Sequence, residues 1–135
     1  MTLSALQQAA YDALAAVPDL PPLVPPNRSS AAAGPRVEVS EGPVAGLTAT
    51  MGGDDDVRWI MQAAIVMPEN KGAGPLQAHV QRIVDAFPAG RDIGPGFVTQ
   101  TPYPDAYIQD GTGYRAVLSI AFRALLQPAT PTPRA

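Results

Sequence analysis

The chain contains no cysteine, which excludes disulfides and thiolate metal centres. His79 is its only histidine, so no second imidazole is present to share a metal ion, and a structural or exposed role is expected for it. Lys71 is the only lysine, while alanine, proline and arginine are plentiful; that balance reads as a GC-rich coding bias rather than a functional signal. Charged residues are scarce at 16%, and the net charge of -3 is too mild to predict nucleic-acid or membrane binding from electrostatics alone. No apolar run is long enough to span a bilayer. The start, MTLSALQQAAYDAL, lacks the basic region and uninterrupted apolar run of a signal peptide, so the expectation is a chain made and folded in the cytosol.

What is present suits a single folded core. A chain of 135 residues that is 46% hydrophobic can bury one core. Sixteen prolines and twelve glycines imply many turns and connections. The expected organisation is a single domain over residues 1–127, with a Pro-rich linker at 19–35 inside it, followed by an extended or disordered Pro-rich tail at 128–135.

The clearest local signal is GTGYRAVLSIAFRALL, from Gly111 to Leu126. Tyr114, Ala116, Leu118, Ile120 and Phe122 alternate with Arg115, Val117, Ser119, Ala121 and Arg123, which is the period of a strand. A second strand is expected at Val57 to Met67; its two faces are both rich in apolar residues, which suits burial on both sides or an interface. RVEVS at Arg36 to Ser40 alternates as well. Gly42 and Pro43 interrupt it, and Val44 to Thr50 either continues it after a bulge or forms the next strand. Phe97 to Thr101 reads as an edge or bent strand because Pro102 and Pro104 follow, with Ala106 to Gln109 as its continuation.

Helical spacing occurs twice. Leu3, Leu6, Ala10, Leu14 and Val17 mark a helix over residues 3–17, stopped by Pro18. Leu76, Val80, Ile83, Val84 and Phe87 mark another, with Pro75 in its first turn and Pro88 and Gly90 beyond its end. The fold class expected is α+β: a mainly antiparallel sheet of about four strands with two helices packed on one face.

No catalytic constellation is visible. Glu38, Glu41, Asp85 and Asp105 are scattered, and no serine or threonine has a histidine at a recognisable spacing. Gly42 and Gly46, or Gly94 and Gly96, lack the lysine and following helix of a phosphate-binding loop. MGGDDD at Met51 to Asp56 reads as a flexible acidic loop, but a calcium loop needs alternating oxygen ligands and a distal glutamate. No catalytic, cofactor or metal residue is therefore expected. The residues expected to mediate interactions are Asn27 and Arg28 in the connector, Gly52, Gly53, Asp54, Asp55 and Asp56 in the acidic loop, and Arg58, Arg115 and Arg123 on the strands. The connector is either a spacer or an arm lying across a neighbouring subunit. The acidic loop is a solvated hairpin tip or a tip that docks on a basic surface. Arg115 and Arg123 face solvent or pair with acidic groups across an interface.

Taken in order, these pieces resemble the tail terminator proteins of long-tailed bacteriophages and phage-like gene transfer agents. The matching stretches are the helix at Leu3 to Val17, VPPN at Val24 to Asn27, RVEVS, and the strand ending in MPENKGAGP. The helix continuing to IVDAFPAG (Ile83 to Gly90) and the last strand, with Tyr114 and AFRA at Ala121 to Ala124, complete the set. Nearly the whole chain is covered; the Pro-rich linker and the Pro-rich tail depart from the pattern. The resemblance implies a structural virion protein and no enzyme. It implies a hexameric ring on the head-proximal end of the tail tube, which stops tube-protein addition and joins the tail to the head-side connector. DNA would pass through the lumen without specific binding. A different head–tail connector component, a stopper or adaptor, is the nearest alternative. A small-molecule binding domain or enzyme is the alternative from another class.

Overall fold

The computed structural model describes residues 3–25, 35–48, 55–68, 73–110 and 113–126. In chain order these form α1 (Leu3–Ala15), β1 (Leu23–Val24), β2 (Arg36–Thr48), β3 (Asp55–Met67), α2 (Ala73–Ala86), β4 (Phe97–Val98), β5 (Pro104–Asp110) and β6 (Gly113–Leu126). The class is α+β as expected, but the sheet has six strands and is mixed. Its order is β1-β2-β3-β6-β4, with β5 also paired to β6.

Alternation in β3 and β6 builds the centre. The two strands run antiparallel from Asp55↔Leu126 to Met67↔Tyr114. This register puts Val57, Trp59, Met61, Ala63, Ile65 and Met67 on one face with Ala116, Leu118, Ile120, Phe122 and Ala124, all of them buried. Leu6, Ala10 and Leu14 of α1 and Leu76, Val80 and Ile83 of α2 close over that face in the same apolar cluster. Phe122 stacks on Trp59 (centroids 5.7 Å apart) and meets Phe87 edge-on at 6.2 Å. Both described helices cover one face, and no described helix covers the other face of the sheet.

Proline chemistry accounts for most departures from the expected elements. Helix α1 ends at Ala15, two residues early, because the residue before Pro18 is disfavoured in helical conformation. Val17 N–H instead donates to Leu14 O at 3.1 Å, a tight closing turn. In β2 the register slips between Glu41 and Val44, so Gly42–Pro43 is a bulge inside one strand. Pro43 has no N–H for the ladder. The strand expected over Phe97 to Thr101 is only two residues long, and β5 starts anew at Pro104. Both pieces lie along the same edge of β6.

Strand β1 is an unexpected element within the Pro-rich linker. It pairs parallel with β2 through Leu23↔Val37 and Val24↔Glu38, and Val37 N–H donates to Pro22 O at 2.9 Å. Helix α2 opens with Ala73 and Gly74 ahead of Pro75, which still lies in the first turn, where its missing N–H costs nothing. Its C-terminal end is closed by Arg91, whose Nη1 donates to Ala86 O and whose guanidinium lies 5.2 Å over the Phe87 ring. The expected Pro-rich tail at 128–135 lies outside the described residues.

Candidate interaction face

The helix-free face of the sheet carries the charged side chains that strand alternation sends away from the core. Five of the expected interaction residues, Asp55, Asp56, Arg58, Arg115 and Arg123, lie on its strands, and Asp56, Arg58 and Arg123 meet at one end. Asp56 and Arg58 point the same way from β3, and Arg58 stands directly opposite Arg123 in β6. Two like charges in register repel. Asp56 offsets that repulsion: Arg123 Nε donates to its Oδ1 and Nη2 to its Oδ2, both at 2.8 Å. The paired hydrogen bonds hold the Asp56 carboxyl below the usual carboxylate range, assisted by the positive charges of Arg123 and Arg58, and raise Arg123 in turn.

This geometry corrects the expected acidic loop. Asp55 and Asp56 are the first residues of β3, not part of a hairpin tip. Asp55 pairs in register with Thr48 and Leu126, and Asp56 is anchored by the guanidinium of Arg123. Gly52, Gly53 and Asp54, together with Asn27 and Arg28, lie outside the described residues.

Arg115 is not part of that cluster. It sits eight residues back along β6, about 27 Å from Arg123 at strand rise. There it helps build a second cluster with Arg36 and Glu38, neither of which was expected from the sequence to mediate interactions. Arg36 Nε donates to Glu38 Oε1 at 2.8 Å, and Arg115 Nη1 lies 3.9 Å from Glu38 Oε2. In register, Val66 stands between Arg36 and Arg115. Val66 is only 4% exposed on a face that carries no helix, which fits burial beneath two arginine stems. The alternation of RVEVS was the available signal, because it places Arg36 and Glu38 on the same face two residues apart.

Between the two charged ends, Ile60, Ala64, Val117 and Ala121 are half-buried. Gln62, Ser40 and Ser119 cross the middle; Ser119 Oγ donates to Asp105, and Ser40 Oγ lies 3.5 Å from Gln62 Oε1. Phe97, Ile108 and Leu125 add exposed apolar side chains at the margins. Arginine is one of the residue types enriched at protein–protein interfaces. The sheet edge offers a further contact: among the described residues, the outer side of β2 is paired only at Val37 and Glu38.

Among the described residues no cluster of three or more histidine or acidic side chains could hold a metal ion. No described helix is long and apolar enough to cross a membrane.

No protein-family model matches this chain, and no curated protein matches it significantly. Fourteen chains of solved structures do match. One of these superposes with a TM-score of 0.69 at 18% identity, over 95% of this chain and 99% of its own length, a likeness of fold alone.

Proposed function

We propose that this protein is a tail terminator of a long-tailed phage or phage-like particle, a ring-forming structural protein that performs no covalent chemistry. The observation that carries the proposal is the helix-free sheet face. It joins half-covered Ile60, Ala64, Val117 and Ala121 to arginine–carboxylate clusters at both ends. The sequence resemblance supplies the rest of the reading: a hexamer seated on the last ring of the tube protein, with the head-side connector above it and DNA passing through the lumen.

In this reading the sheet supplies two kinds of contact. The open outer side of β2 offers backbone groups for pairing with a neighbour, and a closed ring uses such a patch and its complement head to tail. The arginine clusters supply orientation and selectivity against wrong partners more than raw affinity.

The test is to add the purified protein to polymerising tail-tube protein and measure tube lengths by electron microscopy. Capped tubes of limited length with a terminal ring are expected. Tubes that keep growing at saturating protein, with the protein bound to connector or portal instead, would replace this reading with a stopper or adaptor.

A further inference from the structure

Two unanswered charges stand on opposite faces of the sheet. Arg58 is the first. Of the other described arginines, Arg36 and Arg115 share Glu38, Arg123 holds Asp56, Arg82 donates to His79, and Arg91 donates to Ala86 O. Arg58 has no hydrogen bond or ion pair of its own among the described residues. Asp56, the carboxylate nearest in sequence on its face, is gripped by Arg123 through both oxygens. The register sets Arg58 in a row across the helix-free face, Ala45–Arg58–Arg123–Phe97. Phe97, 40% exposed, makes that row partly apolar.

Glu41 is the second. It pairs with Met61 in register, so its side chain lies on the helix-covered face. There it lines a cleft of about 360 Å³ between α1 and the β2–β3 pair, and it is the cleft's one charged side chain among the described residues. Val39, Trp59 and Met61 line the same cleft and are buried, and Tyr11 of α1 adds a half-buried ring. Glu41 has no hydrogen bond or ion pair among the described residues.

This lining specifies the occupant. A carboxylate accepts two parallel hydrogen bonds from a guanidinium, an aromatic ring attracts its charge, and apolar side chains suit its stem. The cleft therefore fits an arginine, and the chain displays one without a mate. The sheet itself separates Arg58 from Glu41 of the same molecule, so the two meet only between copies. Each copy offers one of each on opposite faces, and a contact of that kind runs head to tail, as in a closed ring.

We infer that Arg58 of one copy seats in the α1–β2–β3 cleft of the next and pairs with its Glu41. This contact belongs to the ring-forming part of the reading above, on which it rests, and it is measured on the protein alone.

The test is a charge exchange in full-length chains, each held at the highest concentration at which it stays soluble and folded by circular dichroism. Sedimentation velocity reads the assembly state, and the wild-type chain should associate. Glu41→Arg sets arginine against arginine, and Arg58→Glu sets carboxylate against carboxylate. Each alone should raise the concentration needed for association about tenfold or more. The double variant exchanges the charges and should recover association. So should an equal mixture of the two single variants, since each supplies the charge that its neighbour needs and an even-membered ring such as a hexamer can alternate them. Recovery on mixing excludes a folding defect in either chain. A wild-type chain that stays monomeric overturns the inference. So do single variants that associate like wild type, or that weaken without recovery in the double variant and the mixture. Recovery of Glu41→Arg by Arg28→Glu in place of Arg58→Glu would also overturn it, giving the cleft to the connector. A monomeric chain that still caps tubes would sink this inference and leave the terminator reading intact; charge-exchanged association with no capping would do the reverse.

Discussion

Arg123 grips Asp56 with two hydrogen bonds of 2.8 Å across a sequence separation of 67 residues, while facing Arg58 in the register of β3 and β6. The carboxylate therefore separates two guanidinium groups that would otherwise stand opposed. Asp56→Asn is expected to lower the denaturant midpoint at neutral pH. The loss should shrink in 1 M salt, where screening weakens the exposed repulsion. Adding Arg58→Gln should recover part of it. Because the folded-state pKa of Asp56 is depressed, the wild-type contribution is complete above the ordinary carboxylate pKa of about 3.9 and is lost as pH falls through the lower folded value. Equal losses at both salt concentrations, with no recovery in the double variant, would show that the repulsion is unimportant.

The aromatic cluster is the anchor of the helix-covered face. Phe122 contacts both Trp59 and Phe87 and is fully buried. Phe122→Ala should cost about 3–5 kcal/mol, the range for a large side chain removed from a packed core. Trp59→Phe should cost less than that. The Trp59 Nε1 is buried with no hydrogen-bond partner among the described residues, so the substitution removes an unsatisfied donor along with ring volume. Chemical denaturation monitored by far-ultraviolet circular dichroism ranks the two variants, and a costlier Trp59→Phe would show that the indole volume matters more than its stranded donor.

Gly96 marks where the loop before β4 passes close to both β6 and α1. A Cβ there would lie 2.6 Å from Arg123 O and 3.0 Å from Leu6 Cδ1. The carbonyl belongs to the central strand and cannot swing aside, so Gly96→Ala should destabilise by about 1–3 kcal/mol through overpacking. Gly94, with φ 102°, is constrained differently: it has open space around it, but its left-handed backbone disfavours any side chain. Thermal unfolding of Gly96→Ala checks the first claim. An unchanged midpoint would show that the loop can lift off β6 freely.

The central architecture was legible because its signals are periodic. The alternation from Tyr114 to Phe122 and from Val57 to Met67 predicts the faces that the register confirms, whereas Gly42–Pro43 was readable as a bulge or as a break between strands, and the register makes it a bulge. Features that depend on distant partners were harder to see. Leu23 and Val24 lie between prolines and resemble extended linker until β2 pairs with them. Asp56 looks like one of three solvated acids, because Arg123 is far away in sequence. Tyr107 lies in the expected continuation Ala106 to Gln109, but nothing local indicated that α2 would stand across a groove from it and Tyr103. The expectation of about four strands undercounted for the same reason: two-residue strands are created by their partners rather than by their own sequence.

His79 gives the chain a pH response separate from that of Asp56. Its Nδ1 lies 2.7 Å from Arg82 Nη1, and because an arginine can only donate, the imidazole is neutral and accepts at Nδ1. Arg82 also reaches Asp19 O at 3.5 Å, linking α2 to the turn after α1. Burial pushes the His79 pKa below its usual value, and the nearby Arg82 charge lowers it further. The unfolded chain therefore takes up this proton more readily than the folded one. Folding stability should be complete above about pH 6.5 and decline as pH falls through the lower folded value. His79→Gln keeps an acceptor for Arg82 but removes the titration, so the decline below about pH 6.5 should flatten. Melting temperatures across that range provide the measurement. An unchanged slope in the variant would assign the acid sensitivity to other groups, and the Asp56 contribution would still appear separately below about pH 4.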